Sequence, residues 1–163
     1  MIHSIFGSVH SKGVGFLVVS CGSGIRYKVN VTTRTAEKAS RGDEVDLLVY
    51  VHRDQNGNET MYGFADDDQH QVFSILLSVS GVGPKTALAI VDLPLELVSQ
   101  NIIKQNYKFF QAIKGIGGTT AKRLVLELHK RFFKERKDAE RLQEGCKDRS
   151  QGSVNGGAVD LLP

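Results

Sequence analysis

Residues 79–91, VSGVGPKTALAIV, return without a gap at residues 113–125 as IKGIGGTTAKRLV. Each copy reads Gly-apolar-Gly, then three residues, then Ala. The matching positions are Gly81 and Gly115, Val82 and Ile116, Gly83 and Gly117, Thr86 and Thr120, Ala87 and Ala121, and Val91 and Val125. Glycine tolerates positive φ and has no side chain to block a close approach. The repeat therefore predicts two sharp turns between helices, each with accessible backbone N–H groups.

These turns favour phosphate binding, because their N–H groups and the N-terminus of the following helix point the same way and the helix dipole attracts an anion. Lys85 in the first copy, and Lys122 with Arg123 in the second, add cations on or near each turn. The predicted DNA contacts are Gly81, Val82, Gly83, Lys85, Thr86, Gly115, Ile116, Gly117, Gly118, Lys122 and Arg123. The alternative is that each glycine turn only closes a helical hairpin and each alanine lets the helices pack.

Two better-known glycine motifs do not fit. A Walker A loop needs Gly directly before Lys-Ser/Thr, but Pro84 precedes Lys85, and Val79 stands where the earlier Gly is required. A dinucleotide-binding motif needs a third Gly where both copies have Thr, and a βαβ setting. The five His residues show no HxxxH or HExxH spacing, and Cys21 is far from Cys146. The sequence therefore predicts no metal site, no catalytic site and no cofactor.

The first 63 residues have a different pattern. Apolar and polar residues alternate in five short stretches separated by turn residues: IHSIFGSV, GFLVVSC, IRYKVNV, EVDLLVYV and ETMYGF. Five strands in so short a segment favour closure into a small barrel, which removes exposed sheet edges. The predicted fold class is α+β, with an OB-like five-stranded β-barrel over residues 1–63 followed by an all-α domain.

Residues 64–137 predict that all-α domain, with two helix-hairpin-helix motifs. Three aspartates at residues 66–68 precede helical apolar spacing, as expected of a helix cap and an acidic first turn. Pro94 is expected at a first helical position, where its missing N–H costs least. The further helices are expected over residues 94–105, 107–114 and 119–137.

The tail and the charge distribution complete this division. From residue 138 the apolar period is lost, and RSQGSVNGGAVDLLP predicts a flexible linker that stops as an apolar segment begins. Residues 1–63 hold seven Lys/Arg and six Asp/Glu, residues 64–137 eleven and seven, and residues 138–163 three and five, for net charges of +1, +4 and −2. Apolar runs are too short for a membrane span, and the first residues lack a signal-peptide pattern. A cytoplasmic protein without membrane contact is expected, with its basic surface in the helical domain.

The two glycine motifs, with Tyr62-Gly63-Phe64 closing the strand region, resemble the RuvA family over roughly residues 1–137. The resemblance implies an OB barrel, a tandem helix-hairpin-helix domain, and a small C-terminal domain reached through a flexible linker. It also implies a non-catalytic homotetramer that holds a four-way (Holliday) junction of DNA open. Its partners would be RuvB rings, as ATP-driven motors, and the RuvC resolvase. Phosphate contacts carry little sequence information, so we expect recognition of DNA shape.

The first departure from the family's pattern lies in the barrel. The family has two adjacent carboxylates that form an acidic pin at the crossover, whereas residues 53–55 read Arg53-Asp54-Gln55 here. Asp54 keeps one charge, and Glu59 would lie nearby if the loop, longer than usual in the family, folds back. We expect a weakened pin; the alternative is an ordinary polar hairpin turn, for which Asn-Gly at residues 56–57 is the signal.

Two further departures concern the second hairpin and the end of the chain. Gly118-Thr119 stand where the family usually has lysine, and Lys122 either restores a cation one turn later or is an ordinary surface residue. AVDLLP resembles the approach to the RuvB-binding domain, but that domain is absent from this sequence. If the natural protein ends here, the coupling to RuvB that the resemblance implies would be weakened or lost.

Two other classes of function compete with junction binding. Tandem helix-hairpin-helix motifs also occur in DNA repair enzymes of the nuclease or glycosylase type, which act on duplex DNA. Such an enzyme needs clustered carboxylates for a metal, or a nucleophilic lysine with a partner aspartate, and this sequence shows neither pattern. The third class is a module whose hairpins bind protein, against which the +4 helical segment argues only mildly.

Overall fold

The computed structural model describes residues 2–22 and 24–131. The predicted continuation of the last helix from residue 132 to Lys137 and the predicted linker over residues 138–163 lie outside the described residues. Met1–Leu128 form one compact unit, which contains both the strands and the paired glycine turns.

Five strands form a closed barrel in the order β1-β2-β3-β5-β4, which confirms the predicted architecture. The pairings β1–β2, β2–β3, β4–β5 and β1–β4 are antiparallel, whereas β3 and β5 form a short parallel pairing of Val29 with Met61 and Asn30 with Tyr62. The strands are β1 Ser4–Gly13, β2 Phe16–Ser20, β3 Arg26–Asn30, β4 Glu44–Arg53 and β5 Glu59–Phe64.

Alternate residues of these strands fill the barrel, as the period of two requires. The buried interior consists of Ile5, Val9, Leu17, Val19, Val29, Val31, Leu47 and Val49, joined by Ala36 and Ala39. The two alanines belong to a short segment between β3 and β4 that the sequence did not predict as helix, α1 Thr33–Lys38 and its C-cap. Six residues with one buried side chain give too little apolar periodicity to reveal a helix.

Five further helices follow the barrel: α2 Asp67–Leu77, α3 Pro84–Val91, α4 Leu95–Ile103, α5 Tyr107–Gln111, and α6 from residue 118 to the last described residue, 131. Asp66 caps α2 by accepting a hydrogen bond from the Gln69 N–H over 2.8 Å, which confirms the capping prediction. No single helix among the described residues is long and apolar enough to cross a membrane. Helices α3 and α4 reach that length and apolar content only when taken together, and they are bent by 103° relative to each other.

Several predicted helix limits differ from the structure. The helix predicted to end at residue 105 ends at Ile103, and the helix predicted to begin at residue 119 begins at residue 118. Pro94 lies just before α4 as its N-cap, with ψ of 127°, and its carbonyl accepts from the Val98 N–H over 3.1 Å. Helix α5 ends at Gln111, three residues before the predicted end at residue 114. It ends there because the turn that leads into the glycine motif begins at its C-cap, Ala112. Its first bond joins the Ile113 N–H to the carbonyl three residues earlier over 3.1 Å.

The helices have their own core, and one face of the barrel contributes to it. Tyr50 of β4 and Tyr62 and Phe64 of β5 point out of the barrel and surround Phe73 of α2, with ring centroids 5.4, 5.2 and 4.8 Å from it. Phe64 and Phe73 are completely buried. The last strand, Glu59–Phe64, coincides with the predicted stretch ETMYGF and runs one residue past the predicted domain limit of residue 63, and its final side chain packs with the helices.

Candidate nucleic-acid interface

The two glycine turns have the same backbone geometry. Gly81 and Gly115 adopt φ of 94° and 95°, a region that favours glycine. In each turn the next residue donates its N–H to the carbonyl three residues earlier, Val82 over 3.0 Å and Ile116 over 3.1 Å. The side chains of Val82 and Ile116 are only 6% exposed. The N–H groups of these two predicted contact residues therefore stabilise the turns, and their side chains pack in the core and do not face solvent.

Each turn leads into a helix whose first N–H groups are available. The first bond within α3 runs from Ala87 N–H to the carbonyl of Gly83 over 2.9 Å, and that within α6 from Ala121 N–H to the carbonyl of Gly117 over 2.8 Å. The amides between these residues precede the helical hydrogen-bond ladder. Pro84 lacks an N–H, so the second turn has one amide more than the first. Aligned amides at a helix start form an anion site.

The space in front of these amides is open. A Cβ atom built on Gly83 or Gly117 meets no heavy atom within 4 Å, and both glycines are exposed. A Cβ on Gly118 would lie 3.4 Å from Gln111 Nε2, so the Gln111 side chain occupies part of the space beside this predicted contact residue. A phosphate group can therefore approach the backbone most closely beside Gly83 and Gly117.

The two hairpins pack against each other reciprocally. A Cβ on Gly81 would lie 3.0 Å from the Thr120 hydroxyl, and a Cβ on Gly115 would lie 2.9 Å from the Thr86 hydroxyl. This exchange of equivalent contacts indicates that an approximate two-fold axis relates the hairpins. Thr86 was predicted as a DNA contact, and the structure places it at this interface; Thr120 was not predicted, although the repeat aligns it with Thr86.

We predict that Gly81→Ala lowers the free energy of unfolding by about 2 kcal/mol, because a left-handed alanine alone costs roughly 1–2 kcal/mol and the new methyl group presses on Thr120. Urea denaturation followed by circular dichroism measures the change. Gly83→Ala is the matched control, since φ at Gly83 is −90° and its Cβ meets open space. Equal losses for the two variants would contradict this role of the turn.

Cations surround the turns unequally. Lys85, Lys122 and Arg123 are exposed, and so is Lys114, which directly precedes Gly115 and was not predicted as a contact. Lys122 Nζ lies 5.4 Å from the centre of the Tyr107 ring. The face of an aromatic ring attracts a cation, and the Lys122 ammonium group therefore interacts with Tyr107 within the protein. Lys114 is therefore, beside Lys122, a second candidate to replace the lysine that the family usually has at the positions of Gly118 and Thr119.

The β4–β5 hairpin carries the residues predicted for the acidic pin. Asp54 is exposed, but its carboxylate accepts hydrogen bonds from the Asn56 N–H, the Asn58 N–H and Asn58 Nδ2, over 2.8, 2.8 and 2.9 Å. The Asn58 side chain and backbone N–H are the largest causes that hold the pKa of Asp54 below its ordinary value. Asp54 therefore keeps its negative charge, and its support of this turn is present above the ordinary carboxyl pKa and is lost as pH falls through the lowered one.

The other predicted pin residues add little further charge. Glu59 pairs directly with Arg53 across β4 and β5, and the Arg53 guanidinium forms a salt bridge with its carboxylate. Gln55 is exposed at the tip. With one cation and two carboxylates, residues 53–59 have a net charge of −1. Among the described residues, no group of three or more His, Cys, Asp or Glu is arranged to hold a metal ion.

Comparisons with known proteins match both halves of the described chain. Residues 1–63 match the family described as RuvA N terminal domain, and residues 73–130 match the SAM-like helix-hairpin-helix tandem. Three relatives share the description "Holliday junction branch migration complex subunit RuvA". The protein from Prosthecochloris aestuarii is 38% identical over 113 residues, which cover 68% of this chain and 56% of the relative. The Corynebacterium efficiens protein is 37% identical (78% and 62% covered), and the Christiangramia forsetii protein 33% identical (82% and 69%). This chain thus spans about three-fifths of the length of the first two relatives.

Proposed function

We propose, from the premise that this chain belongs to the RuvA family, that it is a non-catalytic subunit that binds a four-way DNA junction and holds it open for branch migration. The observation that carries the proposal is the pair of equivalent hairpins, each with an open space at Gly83 or Gly117 in front of the amides that precede the helical hydrogen-bond ladder. In this proposal, residues 1–63 are the barrel domain and residues 64–137 are the tandem hairpin domain that binds DNA.

The two-fold relation between the hairpins suits double-stranded DNA. The two strands of a duplex are antiparallel and therefore related by local two-fold axes, so paired sites can hold one phosphate on each strand. Lys85 on the first hairpin, and Lys114 and Arg123 on the second, are exposed and add charge near these phosphates. Contacts of this kind position a protein on DNA without reading its sequence. That property suits branch migration, in which the sequence at the crossover changes at every step.

Selectivity for a junction needs several copies of the chain. A homotetramer matches four DNA arms with four copies of one phosphate-binding surface, and linked weak contacts bind more tightly together than singly. The relatives are described as subunits of a branch migration complex, which supports RuvB as the motor partner. RuvC as a further partner rests on the family resemblance alone.

The proposed role of the β4–β5 hairpin is that of a weakened acidic pin. Asp54 carries the charge that repels phosphates at the crossover, because Arg53 offsets Glu59. A single exposed carboxylate separates strands less strongly than an adjacent pair. In this proposal the hairpins therefore contribute most to binding the open junction, and Asp54 contributes less.

A titration with two DNA molecules tests the proposal. We predict that an immobile four-way junction binds at least about 100-fold more tightly than a linear duplex of equal length and composition, as expected when several phosphate sites engage together. Both affinities should fall steeply between two salt concentrations, because phosphate binding releases counterions. Equal binding of junction and duplex would favour a repair enzyme that acts on duplex DNA, and no salt-dependent binding would favour a protein-binding module.

A further inference from the structure

The short helix α1 is firmly attached to the barrel. Lys12 of β1 donates from Nζ to the carbonyls of Ala36 and Glu37 over 3.2 and 3.3 Å, and to that of Ala39. Ala36 is 4% exposed and packs among the barrel's interior residues. At the start of α1, Thr32 is almost completely buried and caps the helix through the Thr35 N–H. The position of α1 is therefore set by the barrel.

Arg34 connects the outer side of α1 to the helical domain. The Arg34 backbone N–H donates to Asp92 Oδ1 over 3.3 Å, and its guanidinium Nε lies 3.7 Å from the same oxygen. Arg34 Nη2 donates to the carbonyl of Leu93 over 3.1 Å. Asp92 is the C-cap of α3, the helix whose N-terminus forms the first phosphate site at Gly83. Arg34 thus links the barrel to the far end of that helix.

This link is a second attachment between barrel and helices. The first is the aromatic contact of Tyr50, Tyr62 and Phe64 with Phe73 of α2. On the α1 side, an open groove of about 430 Å³ separates α1 and β4 from the start of α2, and Arg34 and Gln69 are among its lining residues. Beside this groove, Arg34 makes its polar contacts to Asp92 and to the carbonyl of Leu93. A second contact away from the aromatic cluster further restricts rotation of the helices on the barrel.

We propose that Arg34 and Asp92 are a positioning pair that sets the angle of the tandem hairpins on the barrel and thereby favours a four-way junction over linear duplex. The proposal rests on the proposed junction-binding function. A duplex needs only the hairpins of one copy, whose mutual arrangement is held by Thr86 and Thr120. A junction must meet hairpins of several copies whose directions depend on the barrels that join them. Loss of the pair therefore weakens junction binding and leaves duplex binding unchanged.

The test is a double-mutant cycle on the full chain with Arg34→Ala, Asp92→Ala and both together. Affinities for an immobile four-way junction and for a linear duplex are measured at one salt concentration, and the ratio of the two is the readout. We expect each single variant to lower the ratio about tenfold, and the double variant to lower it by less than the product of the two single effects, as for two residues in direct contact. The double variant should still fall below either single one, because Arg34→Ala keeps the backbone N–H bond to Asp92 and Asp92→Ala keeps the guanidinium bond to the carbonyl of Leu93. Duplex affinity and the urea unfolding midpoint should stay close to those of the parent chain.

Two further variants make the result specific. Arg41→Ala removes an exposed arginine from the segment just after α1, and should leave the ratio unchanged. Arg34→Lys keeps the charge but loses the planar, multi-donor geometry, and should lower the ratio in part. An unchanged ratio in Arg34→Ala overturns the proposal, as does an equal loss in Arg41→Ala or a parallel loss of junction and duplex binding. A parent chain without junction preference refutes the proposed function itself, which distinguishes the two failures.

Discussion

Aspartate at both Gly83 and Gly117 is expected to weaken junction binding by about 100-fold, because each new carboxylate lies where a phosphate must approach and like charges a few ångströms apart repel by about 1 kcal/mol or more. The folded protein should lose no stability. Both glycines precede a helix start, where aspartate is a favoured cap and its charge suits the helix dipole, and a Cβ there meets nothing within 4 Å. Binding to a labelled junction and urea unfolding measure the two effects.

Asparagine at the same two positions is the matched control. It has the same shape and also caps helices well, but carries no charge. We expect the double asparagine variant to bind more weakly than the parent chain, because its side chains occupy the open space, and more tightly than the aspartate variant. If the aspartate variant bound the junction as well as the parent chain does, the amides beside Gly83 and Gly117 would not be the phosphate sites.

Removal of the ring at Phe73 is expected to have the largest effect on stability. Phe73→Ala should lower the free energy of unfolding by about 3–5 kcal/mol, the usual cost of truncating a buried aromatic residue. Phe73 is fully buried and touches aromatic rings of both β4 and β5, so the loss falls on the contact between barrel and helices. Urea denaturation followed by circular dichroism measures the change.

Two comparisons define what Phe73 contributes. Phe73→Leu keeps most of the apolar volume and should cost clearly less than alanine. Phe6→Ala removes the same side chain from an exposed site on β1, where 64% of the residue is accessible, and should change stability little. A loss for Phe73→Ala as small as that for Phe6→Ala would show that the aromatic cluster does not hold the two parts together.

Much of the hairpin geometry could be predicted from the repeat, because it depends on neighbours within a few residues. Positive φ at Gly81 and Gly115 follows from glycine's lack of a Cβ, and the cap at Asp66 from an aspartate placed before helical spacing. The same local reasoning misjudged the ends of the helices near Pro94 and Gln111. At these two places the hydrogen bonds of the adjoining turns decide where one helix begins and another ends.

The amino-acid sequence by itself determined the five strands, the two glycine turns and the resemblance to RuvA, since alternation, glycine spacing and charge act over short stretches of chain. Only the tertiary structure decided which side chains complete each turn and how the hairpins are attached to the barrel. Thr86 and Thr120 meet the glycine of the opposite hairpin, and Glu59 is neutralised by Arg53 rather than added to Asp54. Arg34 and Asp92 lie 58 residues apart, and no local pattern specifies a partner at that distance; the closed barrel and the buried ring of Phe73 bring them together.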